Sequence, residues 1–205
     1  MTINRVITYV GPKHLELQDF DFPKLVSPAE LWNMLESLDQ TYRVAPVHGD
    51  LHGENVRVKN GQAILIDLAS VNQAPFVADL AALETWFAFE PSDKTDLKQY
   101  ADPEWQEEID RLYAPAAFLH PPGPCDSSSQ LCWMTVVVRQ IRTMGIAAQS
   151  CPTEYQSAVA AQLLRRCQWK SEDAADRFRR GHGYIVATKL VNDAAKRSKN
   201  PGKKP

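Results

Sequence analysis

The dipeptide Asn60-Gly61, which stands between two short apolar segments, constrains the fold of this chain more than any other feature. An Asn-Gly pair favours a type I′ turn, because both central positions of that turn require a positive φ. Valines alternate with charged residues before the pair, and an unbroken apolar run follows it. The pattern predicts a β-hairpin in which pairing runs outward from the turn to Val56 and Leu65.

The predicted hairpin brings two oxygen-bearing side chains to its open end. Asn55 lies just before the first strand and Asp67 just after the second. Directly opposed Cβ atoms in a hairpin lie roughly 4.5–5.5 Å apart. An amide oxygen and a carboxylate at that separation suit Mg²⁺, which takes one or two protein carboxylates and completes its octahedron with water and phosphate. The sequence therefore predicts a magnesium site formed by Asn55 and Asp67.

The segment before the hairpin, "HGDLHGEN", places a third oxygen group near the same site. Asp50 precedes Asn55 by five positions and lies on the turn that leads into the first strand. It can face the predicted metal site without binding the ion. This arrangement predicts phosphoryl transfer, in which Asp50 accepts the proton of an attacking hydroxyl and the metal ligands hold a nucleotide.

Three segments in this order resemble a known enzyme core: "VHGDLHGENV", "AILIDLASV" and "VADLAALE". They are similar to the aminoglycoside phosphotransferase and choline kinase branch of the protein-kinase-like superfamily. The resemblance implies that Asp50 is the catalytic aspartate and that Asn55 and Asp67 bind the metal. It also implies that Asp79 braces the catalytic loop, although Asp79 is equally suited to cap the following helix.

The two histidines of the loop have more modest expected roles. His48 is expected to be a packed side chain that bonds backbone and supports the loop. His52 either orients the loop or contacts a nucleotide phosphate, and it is counted with Asn55 and Asp67 among the nucleotide-binding residues. The cofactors implied by the resemblance are Mg²⁺ and ATP or GTP, and the acceptor is a hydroxyl of a small molecule.

The implied fold is α+β and mostly helical, a kinase-like C-terminal lobe with a catalytic loop and a small hairpin. Residues 1–195 are expected to form this single lobe, and residues 196–205 a disordered basic tail. Within the lobe, 1–43 would supply a strand and a helix, 44–90 the catalytic core, and 91–195 a helical region on the substrate side.

A complete kinase-like enzyme also has an N-terminal lobe with a phosphate loop and a lysine paired to a helix glutamate. Only 47 residues precede His48, and they contain no GxGxxG motif. Lys13 and Lys24 are candidates for the lysine only by default. The N-terminal lobe is therefore expected to be absent or severely reduced. Three explanations are open: an upstream domain supplies the lobe, another chain supplies it, or the protein has a reduced nucleotide site.

Three alternatives to an active kinase remain open at this point. The chain could be a catalytically weak or inactive interaction module derived from a kinase, and it also resembles kinase-like ternary-complex-associated domains. The letters Gly49-Asp50-Leu51-His52-Gly53 also match the dinuclear metallophosphoesterases, but those need further Asp, Asn and His ligands. Finally, Asp50, Asn55 and Asp67 could be simple turn formers.

Composition limits the partners and the compartment. The formal charge is −2 and the pI is near 6.2, so nothing in the overall charge favours nucleic acid or an anionic membrane. The four cysteines form no CxxC pair, and reduced thiols in a cytoplasmic protein are expected. The arginines of the C-terminal half, among them Arg165 and Arg166, are expected to line a solvated helix face.

Overall fold

The structure is a computed structural model, and it describes residues 26–90, 103–120, 122–125, 131–167 and 173–199. It is α+β and mostly helical. The helices are α1 (Pro28–Glu36), α2 (Ala78–Phe89), α3 (Pro103–Leu112), α4 (Cys132–Ala148), α5 (Glu154–Arg166) and α6 (Ala174–Lys199). The strands are β1 (Val44–Val47), β2 (Val56–Lys59), β3 (Gln62–Leu65) and β4 (Asn72–Pro75).

Strands β2 and β3 form the predicted hairpin with the predicted register. Lys59 pairs with Gln62 beside the turn, and Val56 pairs with Leu65 at the open end. The turn residues Asn60 and Gly61 have φ values of 51° and 74°. These are the positive angles that a type I′ turn requires, and the hairpin prediction is confirmed.

A second antiparallel pair, β1 with β4, encloses the hairpin and was not predicted. Val47 pairs with Asn72, and Val44 pairs with Pro75. The sequence signal is weak because Pro46 interrupts the first strand and the second strand, "NQAP", contains polar residues and a proline. The pairing matters for the site, since it fixes the two ends of the segment that carries the catalytic loop.

The hydrophobic core lies among the helices. The packing of α5 against α6 and of α2 against α4 is the most extensive in the described part of the chain. Core side chains include Leu31, Val77, Phe89, Trp105, Ile109, Leu112, Met134, Val138, Tyr155, Leu163, Leu164, Leu190 and Val191. No helix of the described residues has the length and apolar character that a membrane crossing needs.

Helix α3 ends at Leu112, and Pro115 starts a short 3₁₀ turn shortly after it. One predicted boundary differs from the structure. Residues 196–199 belong to α6 rather than to a disordered tail. Arg197 holds this end of the helix by pairing with Asp193 one turn earlier. The predicted N-terminal strand and residues 200–205 lie outside the described residues.

One pair of cysteines departs from the expectation of reduced thiols. Cys125 and Cys132 are joined by a disulfide, and their Cα atoms lie 5.4 Å apart. That separation is within the usual range for a bridged pair. The prediction was wrong for these two residues. Cys151 and Cys167 are free, and burial raises the pKa of Cys167 to about 12.

Gly145 allows α4 and α5 to approach each other closely, and its replacement should destabilise the fold. A Cβ at this position would overlap the ring of Tyr155, whose hydroxyl is fixed by a hydrogen bond to Glu84. Overpacking a core costs about 1–3 kcal/mol, whereas the gain in helix propensity from Gly to Ala is about 1 kcal/mol. We therefore expect Gly145→Ala to lower the free energy of unfolding in urea.

Gly183→Ala is the matched control for that substitution. Gly183 is also buried and helical, but an added Cβ would meet its neighbours at 3.5 Å, an ordinary van der Waals contact. This variant should unfold at the same urea concentration as the wild type or at a higher one. Equal stability of the two variants would contradict the packing argument.

Candidate active site

The second residue of the loop between β1 and β2 is a glycine that no other residue could replace without strain. Gly49 has a φ of 78°, and a Cβ there would overlap the backbone oxygen of Ser70. The close approach ties the loop to the segment that leads into β4. The backbone at His48-Gly49-Asp50 is therefore fixed by packing as well as by hydrogen bonds.

Asp79 holds the start of the loop. Its Oδ2 accepts a hydrogen bond from the backbone N–H of His48 at 2.6 Å, and its Oδ1 accepts one from Gly49 at 3.0 Å. Asp79 is the second residue of α2, and the N-cap of that helix is Val77, with no capping side chain. The alternative in which Asp79 caps the helix was therefore wrong. The carboxylate spans two consecutive loop amides instead.

His48 links the loop to the end of β3. The ring is buried, and its Nε2 lies 2.8 Å from the carbonyl oxygen of Ile66. Because a carbonyl can only accept, this contact places the ring proton on Nε2. The backbone N–H of Ile66 donates in turn to the carbonyl of Asn55. Ile66, the residue before Asp67, thus bonds His48 through its carbonyl oxygen and Asn55 through its N–H. These two bonds join the loop to the hairpin.

Asn55 has one side-chain atom available for a cation. The residue is only 7% exposed, and its Nδ2 donates to the carbonyl oxygen of Asp50 at 3.0 Å. This bond occupies the amide nitrogen and sets the orientation of the amide group. The Oδ1 atom is the remaining donor, and an amide oxygen is a suitable ligand for Mg²⁺.

Asp67 follows β3 in a left-handed conformation with φ 58° and ψ 59°. Its side chain is exposed, and it has no hydrogen-bond or ion-pair partner in the part of the chain that the structure describes. An unpaired carboxylate and an amide oxygen are both donor types that Mg²⁺ accepts. Among the described residues, no three His, Cys, Asp or Glu side chains are grouped so that they could hold a metal ion.

Asp50 is half-exposed, and its two carboxylate oxygens differ in their contacts. Oδ1 accepts a hydrogen bond from Nη2 of Arg165 at 2.9 Å. Oδ2 lies 3.9 Å from Nε2 of His52, which is longer than a hydrogen bond. Arg165 therefore holds the carboxylate through Oδ1, and Oδ2 makes no hydrogen bond with the described residues.

A cavity of about 270 Å³ opens beside Asp50. Its lining comes from the loop, from α2 and from the end of α5: Asp50, Leu51, His52, Glu54, Ala82, Thr85, Trp86, Glu90, Gln162, Arg165 and Arg166. Asn55 and Asp67 are not among the lining residues. Asp50 thus borders a cavity that the two predicted metal ligands do not line.

Comparison with known protein families matches residues 8–119, more than half of the chain, to the phosphotransferase enzyme family. The chain belongs to the phosphotransferase enzyme family. Searches of curated proteins and of solved structures found no match. The family assignment confirms the resemblance that the loop and hairpin motifs indicated.

Two cavity residues of this phosphotransferase were misplaced by the sequence prediction. Arg165 and Arg166 were expected on a solvated helix face, but both turn toward the cavity. Arg166 pairs with Glu90 and also donates to the carbonyl of Phe89 at 3.3 Å. Burial, and then the charge of Arg180, lower the pKa of Arg166. The sequence signal for this orientation is that both arginines directly follow two apolar residues of α5, Leu163 and Leu164.

Trp86 shapes another wall of the cavity in this phosphotransferase. The indole is buried against the loop. A Cβ at Gly53 would overlap the indole ring, so the glycine lets the backbone of the loop lie directly on Trp86. His52 lies nearby, with 6.5 Å between the two ring centroids.

Proposed function

We propose that this protein transfers the γ-phosphoryl group of ATP or GTP to a hydroxyl group of a small molecule in a Mg²⁺-dependent reaction. The observation that carries the proposal is the position of Asp50 and the contacts of its carboxylate. Its carboxylate borders a cavity of about 270 Å³ and presents one unbonded oxygen, while Asn55, five residues along, is oriented by the backbone of Asp50 itself.

On the nucleotide side, Asn55 and Asp67 would hold Mg²⁺, and His52 would contact a phosphate or orient the loop. The ion, when bound, neutralises charge on the phosphates of the nucleotide. Asn55 contributes an amide oxygen fixed by its bond to the loop, and Asp67 contributes an unpaired carboxylate. His48 and Asp79 keep the loop in place through contacts with Ile66 and with two backbone amides.

On the acceptor side, the substrate hydroxyl would lie in the cavity with its proton directed at Oδ2 of Asp50. The hydroxyl oxygen forms a bond to the γ-phosphorus as the bond between that phosphorus and the β–γ bridging oxygen breaks. Asp50 takes the hydroxyl proton, and the nucleoside diphosphate leaves with the bridging oxygen. Positioning and charge neutralisation supply most of the rate enhancement in such reactions.

The strand region suggests where a further lobe would attach. Between residues 42 and 76 it exposes large apolar side chains: Tyr42, Val44, Val58, Ile64, Leu65, Leu68, Val71 and Phe76. Apolar side chains gathered in one region of a surface are typical of a binding site for another protein surface. We propose that a nucleotide-binding lobe, from another domain or another chain, covers these strands and completes the site.

We propose that residues 1–195 form one catalytic lobe, with acceptor recognition in the helices beyond residue 90, and that the protein acts in the cytoplasm without nucleic-acid or membrane partners. A kinase-derived interaction module that binds nucleotide weakly or not at all is the second candidate. The metallophosphoesterase interpretation would instead require phosphatase activity with Mn²⁺ or Zn²⁺ and no nucleotide.

Nucleotide titration of the Asp67→Asn variant tests the proposal. The full chain should bind ATP saturably by calorimetry in the presence of Mg²⁺, and Asp67→Asn should weaken that binding by about tenfold or more, because an amide is a poorer ligand than a carboxylate. Asp39→Asn changes another exposed aspartate and is the matched control. Unchanged binding by Asp67→Asn would contradict the metal role, and no binding by the wild type at millimolar ATP would favour the interaction module.

A further inference from the structure

Arg165 connects the helical core with the catalytic loop. It lies near the end of α5, directly after Leu163 and Leu164, which are fully buried. Those leucines fix the backbone from which the arginine projects. Its side chain crosses to a loop more than a hundred positions earlier in the sequence and is only 30% exposed there.

The guanidinium makes two contacts with consecutive loop residues. Nη2 donates to Oδ1 of Asp50 at 2.9 Å, and Nη1 donates to the backbone oxygen of Gly49 at 3.2 Å. The planar fork of an arginine can hold a carboxylate and a neighbouring carbonyl at the same time, which the ammonium of a lysine does less specifically. Together the two bonds fix both the position of the loop and the rotamer of Asp50.

We propose that Arg165 is a positioning residue for phosphoryl transfer, which holds Asp50 so that its second carboxylate oxygen faces the acceptor hydroxyl. This inference rests on the proposed function. It follows from the asymmetry of the Asp50 carboxylate, because the bond to Oδ1 leaves Oδ2 as the oxygen without a hydrogen bond, on a residue that lines the cavity. His52 lies too far from Oδ2 to compete for it.

The same geometry argues against a mainly structural role for this ion pair. Both partners are partly exposed to solvent. Exposed pairs of this kind contribute little to stability, since solvent screens the attraction and two long side chains lose freedom. A misplaced catalytic group, in contrast, costs up to about a hundredfold in rate for a shift of about 1 Å. Removal of Arg165 should therefore affect turnover much more than unfolding.

Arg111 provides a matched control within the same chain. It bonds the carboxylate of Glu108 at 2.6 Å and 2.8 Å and the backbone oxygen of Gly123 at 3.2 Å. Its contacts thus combine a carboxylate and a carbonyl in the manner of Arg165, but on α3 and with no contact to the loop. Loss of Arg111 should leave turnover unchanged.

The test measures release of ADP from Mg²⁺-ATP by the full chain, with choline, kanamycin, ribose or water alone as the acceptor. Arg165→Ala should lower kcat about 10- to 100-fold with little change in the KM for ATP, because the arginine contacts Asp50 rather than the predicted metal ligands. Arg165→Lys should recover part of the loss, and added guanidinium ion should partly restore Arg165→Ala. In the Asp50→Asn background, Arg165→Ala should have no further effect.

Three results would overturn the proposal. They are an unchanged kcat in Arg165→Ala, an equal loss in Arg111→Ala, or a full additional loss in the Asp50→Asn background. Failure of the proposed function has a different signature, since the wild type itself would then release no ADP with any of these acceptors. In that case nitrogen NMR of the guanidinium group decides the inference separately. If the guanidinium of Arg165 rotates as fast in the wild type as in the Asp50→Ala variant, which has no side-chain oxygen to accept its bond, no positioning contact exists.

Discussion

Asp50→Asn should reduce turnover to a small residual rate and leave nucleotide binding intact. An amide is nearly the same shape as a carboxylate and still offers an oxygen to Arg165, so the loop should keep its position. The amide does not accept the proton of an attacking hydroxyl, however. Loss of a general base lowers the rate by about 10²- to 10⁴-fold. The proposed metal ligands, Asn55 and Asp67, are untouched by the substitution, which is why the Kd for Mg²⁺-ATP should stay close to that of the wild type.

Two measurements on the same protein preparations check this expectation. Calorimetry gives the Kd for Mg²⁺-ATP, and ADP release in the presence of choline, kanamycin or ribose gives kcat. Asp39→Asn, which changes an exposed aspartate outside the loop, should match the wild type in both. Full activity in Asp50→Asn would remove the role assigned to this aspartate. A large loss of nucleotide binding would instead place Asp50 on the metal.

The hairpin could be predicted from sequence because its determinants are local. Asn60-Gly61 specifies the turn through backbone sterics alone, and the alternation of residues around it then sets the register. That register brings the residues that flank the two strands, Asn55 and Asp67, to the open end of the hairpin. The carboxylate of Asp79 on two loop amides agrees with the bracing position that the family resemblance implied.

Features that depend on distant parts of the chain could not be predicted in this way. The ion pair between Asp50 and Arg165 spans 115 positions and exists only because α5 packs beside the loop. The pairing of β1 with β4 was likewise hidden, because prolines and polar residues weaken the strand pattern while tertiary pairing overrides it. Local motifs therefore predict the candidate site residues. The packing of elements that are distant in sequence determines which contacts fix those residues in place.

The buried ion pair between Glu84 and Arg142 is the site where a single substitution should most strongly destabilise the fold. The two side chains are 0% and 1% exposed, and Nη2 of Arg142 lies 2.5 Å from Oε1 of Glu84. Tyr155 donates its hydroxyl to Oε2 of Glu84 at 2.7 Å. Arg142 also donates to the carbonyl of Leu112. The pair thus connects four helices. Glu84 of α2 is bonded by Arg142 of α4 and by Tyr155 of α5, and Arg142 also bonds Leu112 of α3.

The charges in this cluster depend on each other. Burial alone would lower the pKa of Arg142, but the neighbouring carboxylate of Glu84 outweighs it, and the pKa is raised. Burial, and then the charge of Glu84, raise the pKa of Tyr155 well above its usual value, so its hydroxyl remains a donor. The guanidinium also lies 4.2 Å from the ring centroid of Phe118. Removal of either charge would leave the other buried without compensation.

Arg142→Met should therefore lower the free energy of unfolding by about 3–5 kcal/mol, the usual cost of leaving one charge of a buried pair alone. Glu84→Gln keeps the shape and the bond from Tyr155 but also strands the arginine, so a loss of similar size is expected. The double variant Glu84→Gln, Arg142→Met removes both charges and should recover much of the stability, because a buried pair gains little over neutral packing.

Urea unfolding followed by circular dichroism measures all three variants, and a double-mutant cycle separates the coupling from the single losses. The outcome also bears on the site, because Glu84 is followed directly by Thr85 and Trp86, which line the cavity, and the same helix carries Asp79. Loss of the pair should loosen α2 and with it the loop. Additive losses in the double variant would contradict this account, since they would mean that the two charges stabilise the helices independently rather than through each other.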